Sequence, residues 1–171
     1  VQQNHDGLPQ KAGFPQEKIC EVHGSWYDPS NPVVKYSGSL KDHECEWMER
    51  ETQEADLVLV LGTSLGGLYA DQVATECADR ALGAPGCKGR PCLGAAIINL
   101  QQTAQDDKMT LRLNGKSDDI LVRLLAELGL AERLPDDPRS NANFLTATCA
   151  LVPYDERGMR LPQGSDRPRM W

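Results

Sequence analysis

Three observations predict an α/β layer fold built on a parallel sheet. Asp56 to Leu61 (DLVLVL) and Ala95 to Leu100 (AAIINL) are short runs of almost wholly apolar, mostly branched residues. That is the pattern of strands covered by helices on both faces. Segments with helical spacing follow such runs in alternation, which is the order of βα units. Small polar residues cluster directly after the apolar runs, where an open α/β sheet presents its ligand loops.

Taken in order, Val1 to Gln3 reads as the tail of a strand. Asp6 to Ala12 reads as a short helical turn, with Asp6 as N-cap and Gly13 as the residue beyond its end. Lys18 to Val22 (KICEV) alternates with period two and predicts a strand ending at His23-Gly24. Trp26 to Pro32 (WYDPSNP) is turn chemistry, and Val33 to Tyr36 is a short extended segment. Leu40 to Glu54 is a charged, helix-like run around Trp47 and Met48, which are read as core. The strand at Asp56–Leu61 runs into Gly62-Thr63-Ser64-Leu65, and Leu68 to Ala81 has helical spacing.

Leu82 to Gly94, rich in Gly and Pro, predicts a loop. Ala95–Leu100 and Met109–Leu113 are the next strands. Ser117 caps an amphipathic helix, Asp118 to Leu128, whose apolar face is Ile120, Leu121, Leu124, Leu125 and Leu128. Two regions follow: a domain over 1–130, and a tail over 131–171 that carries Pro, Arg and Asp without periodicity.

The chain has 171 residues, enough for one domain with a real core. With 18 Lys+Arg against 25 Asp+Glu the net charge is −7, which excludes a whole-surface nucleic-acid footprint. Arg157, Arg160, Arg167 and Arg169 are too sparse for a basic patch. Backbone N–H groups can still bind phosphate without a positive domain. The uncharged stretches are each about 15 residues and interrupted, against the ~20 that a membrane span needs. No signal peptide is visible, so the six cysteines are read as reduced thiols of an intracellular chain. No pair has the C-x2-C spacing of a zinc knuckle, and Cys87 and Cys92 alone do not make a tetrahedral site. His43, in Asp-His-Glu-Cys, is read as a solvated helix start, not a metal ligand.

Four polar clusters occupy expected strand ends: Gln3-Asn4-His5-Asp6, His23-Gly24-Ser25, Gly62-Thr63-Ser64 and Asn99-Leu100-Gln101. Asn and Gln offer paired donors and acceptors for ribose hydroxyls or an amide. A histidine at such an end can serve as a general base near neutral pH. Together they point to a nucleotide-type pocket.

Their combination and order resemble the sirtuins, the NAD-dependent protein-lysine deacylases. The residues that carry the resemblance are Gln3-Asn4-His5-Asp6-Gly7-Leu8, Ala12-Gly13, Glu21-Val22-His23-Gly24, Gly62-Thr63-Ser64-Leu65, Ile98-Asn99-Leu100, and Gly115 before the last helix. Gly13-Phe14-Pro15 and Ile98 to Thr103 are most similar to the subclass with nuclear, chromatin-associated members. The resemblance implies a Rossmann-like sheet, incomplete on its N-terminal side, and a cofactor, NAD. It implies His23 as the catalytic base, with Asn4 and Asp6 lining the nicotinamide pocket and Gln3 bonding the nicotinamide ribose. Gly62, Thr63 and Ser64 would meet the adenosine half, Asn99, Leu100 and Gln101 its ribose, and Lys116 or Ser117 the adenine. Val34, Lys35, Tyr36, Ser37 and Gly38 fall where the family's strand pairs with an acyl-lysine peptide, a histone among the candidates.

The chain departs from the family in four places. His5 replaces an aliphatic residue, and Lys35-Tyr36-Ser37-Gly38 replaces an aromatic-Gly-Glu pattern. The family's Gly-Ala-Gly phosphate loop would lie upstream of Val1, so the chain is read as a fragment that binds NAD weakly alone. Its four-cysteine zinc module would lie between His23 and Val33, where no cysteine stands, so zinc and the zinc-ribbon subdomain are expected to be absent. Deacylation, mono-ADP-ribosyl transfer and a non-catalytic NAD- or ADP-ribose-binding module all remain open at this stage. A nuclear or cytoplasmic location follows from the same resemblance.

Overall fold

A computed structural model describes residues 1–86 and 90–134, together with the backbone of a short strand pair at 150–151 and 169–170. Most of the predicted tail, and with it Cys87, Cys149, Arg157, Arg160 and Arg167, lies outside the described residues. The chain divides into two compact units. One is Val1–Cys45 with Pro135–Trp171, and the other is Glu46–Leu134.

The second unit holds the sheet. β1 (Leu57–Leu61), β2 (Gly94–Asn99) and β3 (Leu111–Asn114) run parallel in the order β1-β2-β3, with Leu57 beside Gly94 and Ala96 beside Leu111. Parallel pairing needs crossovers, and the chain supplies them by way of the helix Gln72–Ala81 and the loop that ends in the 3-10 turn Asp106–Lys108. The helix packs on β1 and β2. Its Ala74 and Ala78 face Val60, Ala95 and Ile97, with Leu65 and Met109 completing the core. Small residues on the helix let it approach the sheet closely, and each fully buried aliphatic side chain stabilises by roughly 1.5–3 kcal/mol. A second helix, Ser117–Glu127, lies against β2.

Two sequence expectations change here. β1 is not buried on both faces. Val60 is 7% exposed, but Leu57, Leu59 and Leu61 on the other face are 54%, 41% and 43% exposed. Among the described residues β1 pairs only with β2, so it is an edge strand with one covered face. Nor does Ser117 cap its helix. Lys116 is the N-cap, extended at ψ 135° and without a side-chain cap bond, and Ser117 is the first helical residue. Asp118 and Asp119 in the first turn complement the helix dipole instead.

A helix over Asp42–Glu54 begins in the first unit and continues in the second. Its acidic first turn, with Asp42 and Glu44, suits a helix N-terminus, and His43 pairs with Glu44 at 3.1 Å. Its last carbonyls are taken by Arg80, whose guanidinium donates to Thr52 O and, at 2.7 Å, to Ala55 O. That satisfies backbone acceptors a helix end leaves unpaired.

The first unit contains the short helix Leu8–Lys11, which follows Gly7, and a 3-10 turn at Gln16–Lys18. Val1–Gln3 and Lys18–Val22 form no strand. Pro15 starts the 3-10 turn, and Lys18 and Ile19 spend their N–H groups on Pro15 O and Gln16 O. Ile19, Cys20, Glu21 and Val22 are then all buried in succession, which a strand with one wet face does not allow. Ala150–Leu151 and Arg169–Met170 pair antiparallel.

Candidate functional site

The predicted site residues fall into two groups, one in each unit. In the first unit, His23 sits not at a strand end but in a tight turn. Gly24 N–H donates to Glu21 O at 2.8 Å, and Gly24 takes a left-handed φ of 82°. A β-carbon there would press on the Pro32 carbonyl and come within 2.8 Å of Val33 Cα, so only glycine fits. The His23 carbonyl accepts from Val34 N–H at 2.9 Å, and Ser25 bridges to Pro32. Asn31 Nδ2 donates to Glu21 O at 3.0 Å. The turn bearing His23 is thus fastened on both sides.

His5 reaches the same turn. Its Nδ1 donates to the Gly24 carbonyl at 2.9 Å, which assigns the proton to Nδ1 while the ring is neutral. Its own carbonyl accepts from Trp26 N–H at 3.1 Å. Its ring lies 6.5 Å from that of His23 and 6.2 Å from that of Trp26, centroid to centroid. Hence His5, an aliphatic position in the family pattern, is built into the support of His23. Gln3 and Asp6 are half-buried and Asn4 is exposed. Asp6 Oδ1 accepts from Leu8 N–H at 3.3 Å, so it serves the helix start although Gly7 holds the cap position.

Val34 to Gly38 does not form a strand. Gly38 N–H donates to Lys35 O at 2.7 Å, closing a turn around Tyr36 and Ser37, and Tyr36 is 97% exposed. Lys35, Tyr36 and Ser37 stand in solvent, where a Gly/Ser-containing stretch turns more readily than it extends.

In the second unit, the parallel strands place their carboxyl ends at one edge of the sheet, and two of the four predicted polar clusters leave from it, Gly62-Thr63-Ser64 and Asn99-Leu100-Gln101, together with the loop Gly115-Lys116-Ser117. Asn99 joins two of them. Its Nδ2 donates to Thr63 O at 2.7 Å, and its Oδ1 accepts from Leu100 N–H at 3.0 Å. Its carbonyl accepts from Gly115 N–H at 3.3 Å, which ties in the third. Leu65 holds the first loop down. It is buried at a left-handed φ of 46°, strain that an L side chain accepts only where packing compensates. Asp71 accepts from Gly67 and Leu68 N–H at 2.8 and 3.1 Å and closes that loop.

Sequence reasoning missed one central residue. Arg112, on β3, donates to Asn99 O at 3.0 Å, Leu113 O at 2.6 Å and Gln101 O at 2.7 Å. It also pairs with Asp106 at 2.7 Å. The Thr103 hydroxyl bonds Asp106 Oδ1 at 2.5 Å. That hydrogen bond first, and Arg112 second, hold the Asp106 carboxyl below the usual range. The loop after β2 is therefore set by a guanidinium clamp. A lone arginine among charged residues carries no signal for that role, since its targets are main-chain carbonyls.

Among the described residues no group of three or more His, Cys, Asp or Glu could hold a metal. Nor is any helix there long and apolar enough to cross a membrane.

No family model matches the chain. Among curated proteins it is similar to the NAD-dependent protein deacetylase sirtuin-7 of Homo sapiens, 31% identical over 169 residues, covering 76% of this chain and 41% of that protein. It is also similar to the NAD-dependent protein deacetylase SRT1 of Arabidopsis thaliana, 26% identical over 166 residues, covering 76% of this chain and 33% of that protein. The chain thus spans about two fifths or less of these relatives. Among solved structures, Sir2 with a p53 peptide and NAD+ superposes with a TM-score of 0.55 at 23% identity, over 75% of this chain and 62% of that one. A Sir2 homologue in complex with 2′-O-acetyl ADP ribose superposes with a TM-score of 0.59 at 21% identity, over 79% and 61%. These likenesses show a Sir2-like, Rossmann-type fold.

Proposed function

The chain is related to the sirtuins through 76% of its length, and from that premise we propose that it forms part of an NAD-dependent protein-lysine deacylase. The observation that carries the reading furthest is the carboxyl edge of the sheet. There Asn99 bonds Thr63 and the three polar loops leave side by side, the place where open α/β sheets bind nucleotides. The donor set fits NAD, with hydroxyl, amide and backbone N–H groups for ribose and phosphate. In this reading Gly62, Thr63, Ser64, Asn99, Leu100 and Gln101 hold the adenosine half, and Lys116 and Ser117 flank the adenine. Gln3, Asn4 and Asp6, in the first unit, are the residues to which the resemblance gives the nicotinamide. When bound, NAD would supply the ribose that accepts the acyl group. The His23 imidazole, presented by the turn that Gly24 closes, would take a proton from a ribose hydroxyl. Val34 to Gly38 meets the acyl-lysine peptide, a histone being the substrate the subclass resemblance favours. The same resemblance favours a nuclear location, which imaging of a tagged natural form checks.

The assay is the longest natural form of this chain with NAD and an acetyl-lysine peptide, read by nicotinamide release and by the mass of the peptide. Turnover is expected. His23→Ala is expected to abolish it, a fall of about 10²–10⁴-fold for loss of a general base, with the circular dichroism unchanged. Undiminished turnover in that variant rejects His23 as the base. A second reading rests on the exposed turn at Lys35–Gly38, which presents no strand to a peptide: a module that binds NAD or ADP-ribose without chemistry. Calorimetric binding of ADP-ribose with no turnover on any acyl peptide would favour it.

A further inference from the structure

Two thiols outside the candidate site are placed to react with each other. Cys77 is on the helix Gln72–Ala81 and Cys92 is in the loop before β2. Their sulfurs are 3.6 Å apart, and both cysteines are free. Each is held by further contacts. Cys92 Sγ–H donates to Cys77 O at 3.1 Å, and Cys77 Sγ lies 3.3 Å from Gly94 O and 3.5 Å from Ala55 O. Bonded sulfurs stand ~2.05 Å apart, so a modest approach of the loop closes the bond. The two differ in access, since Cys77 is fully buried and Cys92 is half-exposed.

We propose that Cys77 and Cys92 form a dithiol site that takes a disulfide oxidant of the glutathione class and closes to an intramolecular disulfide, locking the helix to the start of β2. The exposed partner reacts first. The Cys92 thiolate attacks a sulfur of glutathione disulfide, forming a Cys92–glutathione mixed disulfide and expelling one glutathione thiolate, which takes up a proton. Cys77 then loses its proton to solvent or to a glutathione thiolate and attacks the Cys92 sulfur. The Cys77–Cys92 bond forms and the second glutathione leaves. Two protein thiols and one glutathione disulfide become one protein disulfide and two glutathiones. Burial, and next the hydrogen bond with Cys92, push the Cys77 thiol up, so it waits as the neutral thiol and acts as the resolving partner. The bond would close a loop spanning fifteen positions of sequence, which removes conformational freedom from the unfolded chain.

The test uses the native chain in glutathione redox buffers of graded ratio, followed by alkylation and tryptic mapping. Cleavage after Arg80 and Lys88 places Cys77, Cys87 and Cys92 on three different peptides. The expected product is a Cys77–Cys92 cross-linked pair with a mass lower by two hydrogens, and a higher melting midpoint than the reduced chain. Cys92→Ser is expected to abolish the cross-link, while Cys87→Ser leaves it intact. Because Cys77 is buried, Cys77→Ala is preferred to Cys77→Ser, and it should leave Cys92 trapped as the glutathione adduct. A cross-link between Cys87 and Cys92 would overturn the proposal. So would a Cys92 adduct that goes no further in the wild-type chain, or a Cys77–Cys92 bond formed only in denaturant.

Discussion

Gly24 shows how much one residue can carry. Its left-handed φ, and the lack of room for a β-carbon beside Pro32 and Val33, make the turn that presents His23. Gly24→Ala must both strain the backbone and push the Pro32 segment away. The expected cost is about 2–3 kcal/mol, read as a lower urea midpoint with unchanged slope. A midpoint equal to that of the wild type would refute this account of the turn. The residues flanking Gly24 were legible from sequence, because Glu21-Val22-His23-Gly24 and Gln3 to Asp6 are contiguous motifs. The part played by His5 was not. Its Nδ1 bond to the Gly24 carbonyl joins positions far apart in the chain, and no local pattern announces it.

At the scale of elements, the β2–β3 connection is the best case of a loop ordered by charge. Asp106 has its folded-state pKa depressed by the Thr103 hydroxyl and by Arg112. A depressed carboxyl contributes stability above its unfolded pKa of ~3.9, and that contribution disappears as pH falls through the lower folded value. Thr103→Val removes the largest cause. The variant should be less stable than wild type at neutral pH, and the gap should narrow as pH drops below ~4. Denaturant titrations at several pH values measure it, and a gap constant with pH would contradict the assignment. The apolar strands were readable as strands because short branched apolar runs favour extended structure, although the run of β1 did not report its one-sided burial. Arg112 and Arg80 were not, because each serves main-chain carbonyls brought near only by folding. The segment Ile19–Val22 misled for a related reason. Period two in the sequence says nothing when Glu21, on the face expected to be wet, is itself buried.

For the whole molecule, β1 has one covered face among the described residues. Val58 and Val60 point into the core with Ala74, Ala78 and Ile97, while Leu57, Leu59 and Leu61 stand on the other side largely in water. A paired substitution separates the two. Val60→Ala should cost about 1–3 kcal/mol, whereas Leu59→Lys should change the stability of this chain by no more than about 0.5 kcal/mol. Equal losses at both positions, measured by urea unfolding, would mean that the outer face of β1 is covered in solution.

What the sequence determined by itself is the set of elements and motifs that depend on neighbours in the chain. These are the strands β1, β2 and β3, the helices after β1 and β3, and the polar loops at the strand ends. Local periodicity and turn chemistry act over a few residues, so they survive in a linear reading. Only the tertiary structure decided the single-faced burial of β1, the guanidinium clamps, the histidine pair and the meeting of Cys77 with Cys92. Each depends on contacts between distant positions, and the energy of burying or pairing a group belongs to the place where the fold puts it.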